Sequence, residues 1–280
     1  MSGTAERQPR VAVVQMNGRA DWKGNRPVVE GLLGQAAVGG ADVAVLPENL
    51  LAMPADPRDL VAMGRVDTSR AVEDLRDMAR RTGMWLVAGT LPFAPDGEDD
   101  PDRVVPRTLV IAANGDIVAH YDKIHLFDVT LPDGQESYRE SAVFRAGTEP
   151  VVVDTPAGRL GLATCFDLRF PELFRRLVDL GAEWFCLPSA FTQATGRAHW
   201  EVLLRARAIE NGCWMAAAAQ VGRHADGRQT WGHSMLVDPW GEVLADCGES
   251  PDTVAVATFD RQKRDRLSRT FPVRDLRRLR

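Results

Sequence analysis

The chain contains little cysteine and no long apolar run, and both shortages limit what it can be. Four cysteines occur in 280 residues, and no two of them form a Cys-x-x-Cys pair. This spacing argues against a structural zinc site and a disulfide framework, and it favours reduced thiols in the cytosol. No segment reaches the roughly 18 consecutive apolar residues that a membrane span needs. We therefore expect a cytoplasmic protein that does not enter a membrane.

Positive charge does not exceed negative charge, and it is clustered in only one short region. The formal net charge is −5 at pH 7, and Lys and Arg cluster only from about Arg261 onward. That basic end is predicted to be a solvated tail, so no nucleic-acid partner is expected. Residues 1–10 are polar and lack the apolar core of a signal peptide, which predicts no secretory leader.

Short apolar runs alternate with amphipathic segments, without a repeat or a low-complexity linker. This alternation predicts an α/β fold in a single domain over residues 1–280, with a core of about 10–260 and a tail of about 261–280. Asn114-Gly115 and Pro239-Trp240-Gly241 each lie between β-rich runs and predict hairpins. Helices are predicted over residues 28–37, 69–81, 171–180 and 198–211, and an exposed loop over 95–102. Strands are predicted over residues 11–15, 43–46, 84–88, 108–113, 116–120, 151–154, 160–164, 184–187, 213–219, 234–238 and 242–245.

Cys165 is the cysteine with the clearest chemical setting. It ends an apolar run and is followed by Phe166-Asp-Leu-Arg-Phe-Pro-Glu172, which places it at a strand-to-helix turn. Such a turn exposes a nucleophile, leaves backbone N–H groups free for an oxyanion, and brings a helix dipole that favours a thiolate. The same pattern also fits a buried structural thiol. Cys186 and Cys213 lie inside apolar runs and are predicted to be core residues.

A thiol nucleophile needs a base, and the sequence leaves its identity open. The five histidines form no His-Glu-x-x-His motif, and none can be paired with Cys165 from the sequence. A carboxylate beside a lysine is the alternative. Glu48 and Lys123 both follow predicted strands, at the strand ends where α/β proteins place their sites. Taken singly, Glu48 also fits a turn residue and Lys123 a solvated side chain.

Three segments together form a more specific sequence pattern than any of these residues alone. They are Leu46-Pro-Glu48, Tyr121-x-Lys123-x-His-Leu-Phe127 and Cys165-x-Asp-x-Arg-Phe-Pro-Glu172. In this order and spacing they resemble the signature segments of the nitrilase, or carbon–nitrogen hydrolase, superfamily, and the likeness extends from Val11 to about Asp260. The resemblance implies a four-layer α-β-β-α sandwich, self-association as a homodimer or higher homo-oligomer, and no cofactor or metal.

The same resemblance implies a Glu–Lys–Cys triad that hydrolyses a non-peptide C–N bond. Glu48 would act as general base and later protonate the leaving ammonia, while Cys165 would attack the carbonyl and form a thioester. Lys123 and the backbone N–H of Phe166 would hold the oxyanion. Many relatives carry Tyr where this chain has Phe166, so a hydroxyl is missing beside the site, but the role of the backbone N–H is unaffected.

The region after Cys165 indicates a branch of the superfamily. Segments 188–210 and 231–241 resemble the branch that contains the deaminated glutathione amidases and the ω-amidases, and they are closer to the former. This implies a small amide substrate with a carboxylate, and a role in metabolite repair. The alternatives are an ω-amidase acting on α-ketoglutaramate, an N-carbamoyl amino acid hydrolase, a nitrilase, and a non-enzymatic scaffold. The complete triad argues against the last of these.

The family resemblance and the substrate that it implies indicate further site residues. Glu140 best matches the second glutamate of the family's site, and Glu136, in a similar setting, remains the alternative. Arg169 is predicted to bind the substrate carboxylate, or instead to form a salt bridge with Glu172 or Asp167.

Four further residues, all downstream of Arg169, are candidates for the substrate pocket. Phe191 and Thr195 are expected to line the substrate pocket. His199 and Trp200 open the helix predicted over residues 198–211, where they either contact the substrate or hold the preceding loop.

Overall fold

The computed structural model describes residues 7–95, 100–131 and 137–279. Within these ranges the helices are α1 (Trp22–Val38), α2 (Asp59–Val66), α3 (Thr68–Thr82), α4 (Pro171–Asp179), α5 (Gln193–Asn211) and α6 (Arg261–Thr270). Short 3₁₀ turns cover Glu140–Ala142 and Cys165–Arg169. The strands are β1 (Arg10–Gln15), β2 (Val43–Val45), β3 (Trp85–Phe93), β4 (Val105–Ile111), β5 (Ile117–Asp122), β6 (Asp128–Thr130), β7 (Ser137–Arg139), β8 (Val152–Thr155), β9 (Gly158–Leu162), β10 (Trp184–Ser189), β11 (Trp214–Ala219), β12 (Val221–Arg223), β13 (Gln229–Trp231), β14 (Met235–Val237), β15 (Val243–Asp246) and β16 (Thr253–Thr258).

Two six-stranded sheets organise the fold. The first has the order β16-β1-β2-β3-β4-β5, and the second has the order β15-β14-β11-β10-β9-β8. Three strands run parallel in each sheet, namely β1, β2 and β3 in the first and β9, β10 and β11 in the second. The remaining strands join antiparallel. Each half of the chain therefore builds a sheet of the same pattern, and β16 returns from the second half to complete the first sheet.

The two sheets pack face to face because their strands are apolar on both faces. Val11 and Val13 of β1 share a buried cluster with Leu160 and Trp184 of the second sheet. Ala12, between them, belongs to a different cluster that lies against α1 and α3. Successive residues of β1 thus face two different layers, as the period of a strand requires.

Helices cover the outer face of each sheet. Leu33 of α1 and Leu75 of α3 are buried against the first sheet, while Leu177 of α4 and Leu204 of α5 are buried against the second. Each such side chain stabilises the fold by roughly 1.5–3 kcal/mol on burial. The resulting order of helix, sheet, sheet and helix confirms the predicted four-layer α-β-β-α sandwich.

The two hairpins predicted from turn residues are present. β4 and β5 pair antiparallel around Asn114-Gly115, and Gly115 adopts a φ of 85°. β14 and β15 pair antiparallel around Trp240-Gly241, with Gly241 at a φ of 86°. Glycine adopts these left-handed conformations without steric cost, so the local signal was sufficient at both turns.

Two helices begin earlier than the apolar period predicts. α1 begins at residue 22 rather than 28, because the carboxylate of Asp21 accepts a hydrogen bond from Gly24 N. α5 begins at residue 193 rather than 198, because the hydroxyl of Thr192 accepts one from Thr195 N. Capping side chains start both helices before their apolar faces become recognisable.

The basic C-terminal segment differs from the solvated tail expected from the sequence. It contains α6, whose first turn is capped by Asp260 through a hydrogen bond from Lys263 N. Lys263 also reaches the buried carboxylate of Asp238, and Arg264 Nη1 lies 2.8 Å from Glu183 Oε1. The acidic partners come from elements much earlier in the chain, so a local pattern of positive charge could not reveal them.

Three further points relate the sequence predictions to the structure. The local pattern does not predict β16, which is paired with β1 over its whole length. Part of the loop predicted over residues 95–102 lies outside the described residues. Among the described helices, none combines the length and the apolar character required to cross a membrane.

Candidate active site

Lys123 lies at the centre of a buried charge cluster. Its Nζ is 2.8 Å from Glu48 Oε1, 2.9 Å from Glu140 Oε1 and 2.8 Å from Glu140 Oε2. Lys123 is 1% exposed and Glu48 3% exposed. Cys165 lines the same pocket as these three residues. The fold therefore brings together Glu48, Lys123, Cys165 and Glu140, which the sequence places in four separate segments.

Glu48 is fixed by a close passage of the chain after β2. Its backbone carbonyl accepts a hydrogen bond from Gln220 Nε2 at 2.8 Å. The neighbouring β3 must approach closely, since a Cβ at Gly89 would lie 2.2 Å from Pro47 O. Asn49 then turns the chain with a φ of 57°, a left-handed conformation that Asn tolerates better than most residues.

Lys123 follows β5 and is held on both sides of its peptide unit. Its N–H donates to Pro106 O at 3.1 Å, and its carbonyl accepts from Gly147 N at 2.8 Å. A Cβ at Gly147 would lie 2.3 Å from Asp122 O, so the approach needs glycine. The backbone of the lysine is thus anchored before its side chain enters the pocket.

Cys165 opens a 3₁₀ turn just beyond β9 and has a φ of 48°. A left-handed conformation costs a non-glycine residue roughly 1–2 kcal/mol. A capping box holds the turn, because Thr164 and Asp167 each accept a hydrogen bond from the other's backbone N–H. Strain that the surrounding structure maintains is a feature of functional sites, and it presents this thiol at the sharp turn predicted from the sequence.

Asp167 organises the site more widely than the sequence predicted, where it appeared only as a candidate partner of Arg169. It is fully buried. Its carboxylate accepts from Tyr121 OH at 2.7 Å, from Thr164 N at 2.8 Å and from His125 N at 3.1 Å, and His125 Nδ1 lies 2.7 Å away. The spacing Thr164-x-x-Asp167 is the capping-box pattern, which is the sequence signal that identifies this role.

Glu140 is positioned by the 3₁₀ turn that it begins. Its Oε2 accepts from Phe127 N at 2.6 Å, and Asp128 Oδ1 accepts from Ser141 N at 2.9 Å. These bonds tie the turn to the segment that follows Lys123. Glu136, the alternative second glutamate, lies outside the described residues.

The charges of the cluster support one another. Burial by itself would lower the pKa of the Lys123 ammonium, but Glu140 and Glu48 outweigh it and raise this pKa well above its ordinary value. Burial raises the pKa of Glu140, although Lys123 opposes the shift, and the charge of Glu48 adds to it. Lys123 therefore stays a cation, and it offsets the cost of burying two carboxylates side by side.

The thiol of Cys165 is neutral in this environment. Burial, and after it the carboxylate of Glu48, raise the pKa of Cys165 well above its ordinary value, and Lys123 opposes them only in part. This corrects the expectation that a helix dipole favours a thiolate, because Cys165 lies in a short 3₁₀ turn and α4 begins only at Pro171. A neutral thiol needs a base to accept its proton, and the carboxylate of Glu48 lines the same pocket.

The backbone N–H of Phe166 is available to a ligand. It donates to no atom among the described residues. N–H groups at the start of a helical turn have no acceptor within the turn. The ring of Phe166 meets Phe127 and Phe170 edge-on, with centroids 5.1 Å and 5.4 Å away. An N–H held in this way suits an oxyanion, as does the ammonium of Lys123.

Arg169 directs its guanidinium toward the aromatic side of the pocket. Its Cζ lies 5.7 Å from the ring centroid of Phe166 and 5.2 Å from that of Phe191, and its Nη1 lies 3.2 Å from His199 Nδ1. It forms no ion pair within the part of the chain that the structure describes, so the salt bridge considered from the sequence is not made. A half-buried cation without a carboxylate partner is suited to hold an anionic group.

Phe191 and Thr195 both line the pocket, whereas His199 and Trp200 do not. Trp200 is 1% exposed, donates from Nε1 to His233 O at 2.7 Å, and packs its ring against Phe191 at a centroid distance of 4.9 Å. Trp200 therefore supports the pocket wall from behind. His199 lies outside the pocket, beside the pocket-lining Arg169.

The other cysteines lie away from this chemistry. Burial raises the pKa of Cys186 to about 12, that of Cys213 to about 11 and that of Cys247 to about 12. Cys186 and Cys213 are fully buried core residues, as predicted. Among the described residues, His, Cys, Asp and Glu form no group of three or more that is arranged to hold a metal ion.

Comparisons with known proteins place this geometry in a family. The family model described as carbon–nitrogen hydrolase matches residues 10–269. The deaminated glutathione amidase of Synechocystis sp. is 42% identical over 258 residues, which are 91% of this chain and 93% of that protein.

Two solved structures have the same fold. The NitFhit protein of C. elegans superposes with a TM-score of 0.90 at 38% identity, over 97% of this chain and 65% of that one, so this chain spans about two thirds of NitFhit. Nit3 of Saccharomyces cerevisiae, described as a member of branch 10 of the nitrilase superfamily, superposes with a TM-score of 0.85 at 26% identity, over 97% of both chains. Because the family model covers nearly the whole chain and a relative is this similar along its length, the chain belongs to the carbon–nitrogen hydrolase family.

Proposed function

We propose that the chain is an amidase that hydrolyses a small, carboxylate-bearing amide through a thioester at Cys165, with deaminated glutathione as its substrate. The observation that carries the proposal is one pocket containing the Cys165 thiol, the Glu48 carboxylate and the Lys123 ammonium. These groups are a nucleophile, a base and a cation for the oxyanion, which together are what acyl transfer requires.

In the first half-reaction, Glu48 accepts the proton of the Cys165 thiol as Sγ attacks the amide carbonyl carbon. The raised pKa of Cys165 supports this order, since the thiol carries its proton until the base removes it. Lys123 Nζ and the N–H of Phe166 stabilise the tetrahedral oxyanion. The C–N bond then breaks as Glu48 returns the proton to the leaving nitrogen, and the acyl group remains on sulfur as a thioester.

In the second half-reaction, Glu48 removes a proton from water, and the resulting hydroxide attacks the thioester carbonyl. The same two donors hold the second oxyanion. The C–S bond breaks, the proton passes from Glu48 to the Cys165 sulfur, and a carboxylic acid leaves. Glu140 positions Lys123 throughout, which is supported by its two contacts with Nζ at 2.9 Å and 2.8 Å.

Arg169 supports the choice of substrate, because a carboxylate-bearing acyl group needs a cation to bind it. None of the carboxylates that the structure describes pairs with Arg169. The name of the Synechocystis relative supports deaminated glutathione. Glutathione without its amino group retains only secondary amide bonds, so its hydrolysis releases an amine. Glu48 would protonate that amine as it would protonate ammonia leaving a primary amide. The ammonia expected from the sequence therefore applies to primary amides such as α-ketoglutaramate.

ω-Amidase activity on α-ketoglutaramate is the second candidate. The pocket has a volume of about 120 Å³, which is below the roughly 300–1,000 Å³ typical for larger ligands. A short keto-acid whose leaving group is ammonia suits such a space. Both candidates use the same nucleophile and the same cation for the carboxylate, so they differ only in the amine half of the substrate.

We further propose a cytoplasmic homodimer or higher homo-oligomer. Four cysteines without disulfides support a reducing compartment. Trp240 and Phe271 support self-association, because they are 58% and 53% exposed and lie together, with ring centroids 5.7 Å apart. Exposed neighbouring aromatic rings are typical of surfaces that bind another protein.

The test is product formation by purified protein from deaminated glutathione, α-ketoglutaramate, an N-carbamoyl amino acid and a simple nitrile. Mass spectrometry would follow both the acid and the released amine, with the Cys165→Ala variant as blank. Intact mass after rapid quenching would detect an acyl adduct on the wild-type protein. Preference for deaminated glutathione supports the main proposal, and preference for α-ketoglutaramate changes it to an ω-amidase. Turnover confined to the carbamoyl compound or the nitrile, or no turnover at all, overturns both.

A further inference from the structure

A second, larger space adjoins the site. A polar groove of about 960 Å³ lies next to the pocket of about 120 Å³, and Tyr138 and Arg228 line both. The first turn of α5 borders the two spaces, since Thr195 lines the pocket while Gln193 and Arg197 line the groove. The pocket alone is too small for an extended substrate, and the adjoining groove offers space for the remainder.

The cations of the groove are not equivalent. Arg228 Nη2 lies 3.0 Å from Asp226 Oδ2, and its guanidinium lies over the ring of Tyr138 at 5.8 Å. The side chain of Arg197 is exposed and forms no hydrogen bond or ion pair with any residue that the structure describes. Glu249 also lines the groove and is exposed. Arg228 is thus neutralised by its neighbour, and among the described residues that line the groove Arg197 is the cation left available to a ligand.

We propose that this groove is a subsite for the amine half of an extended amide, namely a short peptide-like leaving group that ends in a carboxylate bound by Arg197. The inference rests on the proposed amidase function. Gln193 and Arg197 are four residues apart on α5 and share one face of the helix, so they present an amide and a guanidinium side by side. Tyr138, under the Arg228 guanidinium, borders the passage from the pocket to the groove.

The test compares two amides that share an acyl half and differ in the leaving group. α-Ketoglutaramate releases ammonia and does not reach the groove, whereas deaminated glutathione releases a dipeptide with a carboxylate. In Arg197→Gln, KM for deaminated glutathione should rise about three- to tenfold with kcat unchanged, as expected for loss of one charged contact at an exposed site. KM for α-ketoglutaramate should stay within about twofold.

Two controls test whether the change in KM depends on charge and whether Arg197 contacts the terminal carboxylate of the substrate. Glu249→Gln removes the opposite charge from the groove, so KM for deaminated glutathione should fall or stay constant. A deaminated glutathione analogue with its terminal carboxylate converted to an amide should show the same KM with wild type and Arg197→Gln. Because Arg197 and Glu249 are exposed, circular dichroism should match wild type for both variants.

The outcomes separate this inference from the proposed function. Wild-type turnover of both amides with no selective change in Arg197→Gln overturns the groove subsite and leaves the amidase function intact. A rise in KM for the amidated analogue as large as that for the free carboxylate also overturns it. If wild type hydrolyses neither amide, the proposed function fails, and the subsite fails with it.

Discussion

His125 and Asp167 are joined at two points, by the backbone N–H of His125 at 3.1 Å and by its Nδ1 at 2.7 Å, both to Oδ1 of the carboxylate. His125 lies two residues after Lys123, and Asp167 lies two residues after Cys165. One buried carboxylate therefore connects the segment that carries the ammonium to the turn that carries the thiol. The His125 ring is stacked on Phe170 with centroids 3.7 Å apart, which holds the connection in one orientation.

Asp167→Asn should lower kcat strongly while changing KM little, because it moves Cys165 relative to Lys123 without touching the substrate. The amide NH₂ of Asn faces donors instead of accepting from them, so the free energy of unfolding should fall by at least about 1–3 kcal/mol. Steady-state kinetics and urea denaturation measure the two effects. Tyr121→Phe, which removes a single hydrogen bond to the same carboxylate, should cost less in both. A folded Asp167→Asn protein with wild-type kcat would exclude the positioning role.

Cys165→Ala should abolish turnover and change the free energy of unfolding by about 1 kcal/mol, because one buried sulfur atom is lost. The matched control is Cys186→Ala, which removes a sulfur that is also buried but lies outside the pocket. Both variants should unfold at similar denaturant concentrations, but only Cys186→Ala should keep its activity. Residual turnover in Cys165→Ala would show that another group is the nucleophile.

Glu48→Gln should abolish turnover and yet make the Cys165 thiol more reactive toward iodoacetamide. The carboxylate of Glu48 is one cause of the raised pKa of Cys165, so its loss lowers that pKa and increases the thiolate fraction at pH 8. Alkylation at pH 8, measured by intact mass, should be faster than in wild type and absent at this site in Cys165→Ala. Slower alkylation in Glu48→Gln would contradict the electrostatic assignment.

Lys123→Met should abolish turnover and destabilise the fold, since two buried carboxylates would face each other without a cation. Breaking such a cluster typically costs about 3–5 kcal/mol. Burial already raises the pKa of Glu140, and removing Lys123 raises it further. A carboxyl group whose pKa is higher in the folded state stabilises the fold at low pH and loses that contribution as the pH rises through the folded pKa.

The destabilisation of Lys123→Met should therefore be smaller at pH 5 than at pH 8. Urea denaturation at the two pH values measures the difference. Lys23→Met, which changes an exposed lysine in α1, should stay within about 0.5 kcal/mol of wild type at both. An equal loss of stability at pH 5 and pH 8 would mean that Glu140 does not titrate as described.

Gly89→Ala should displace the Glu48 segment, because the added methyl would lie 2.2 Å from Pro47 O. We expect a lower kcat and a loss of stability of about 1–3 kcal/mol from overpacking. Gly31→Ala in α1 is the matched control, since nothing lies within 4 Å of its added methyl, and alanine there should stabilise the helix by up to about 1 kcal/mol. Wild-type kinetics in Gly89→Ala would show that the close passage does not position Glu48.

Much of the architecture was predictable from local patterns. The apolar period and the turns at Asn114-Gly115 and Trp240-Gly241 predicted eleven of the sixteen described strands and both hairpins, because these signals depend only on neighbouring residues. β16 and the short strands β6, β7, β12 and β13 were not predicted. The family resemblance added the layer order, which alternation alone left undecided. The predicted starts of α1 and α5 lie too late in the sequence, because the capping residues Asp21 and Thr192 precede the apolar face of each helix.

The sequence by itself determined which residues carry the chemical groups, since Glu48, Lys123 and Cys165 stand in recognisable segments. Only the tertiary structure decided how these groups affect one another. The pKa of Cys165 depends on burial and on a carboxylate from another sheet, and the role of Asp167 depends on donors from β5 and from the segment after it. The ion pairs of α6 and the charges along the groove also depend on residues that are distant in sequence. Desolvation and Coulomb interactions act through space, so residues distant in sequence set them, and local pattern does not encode them.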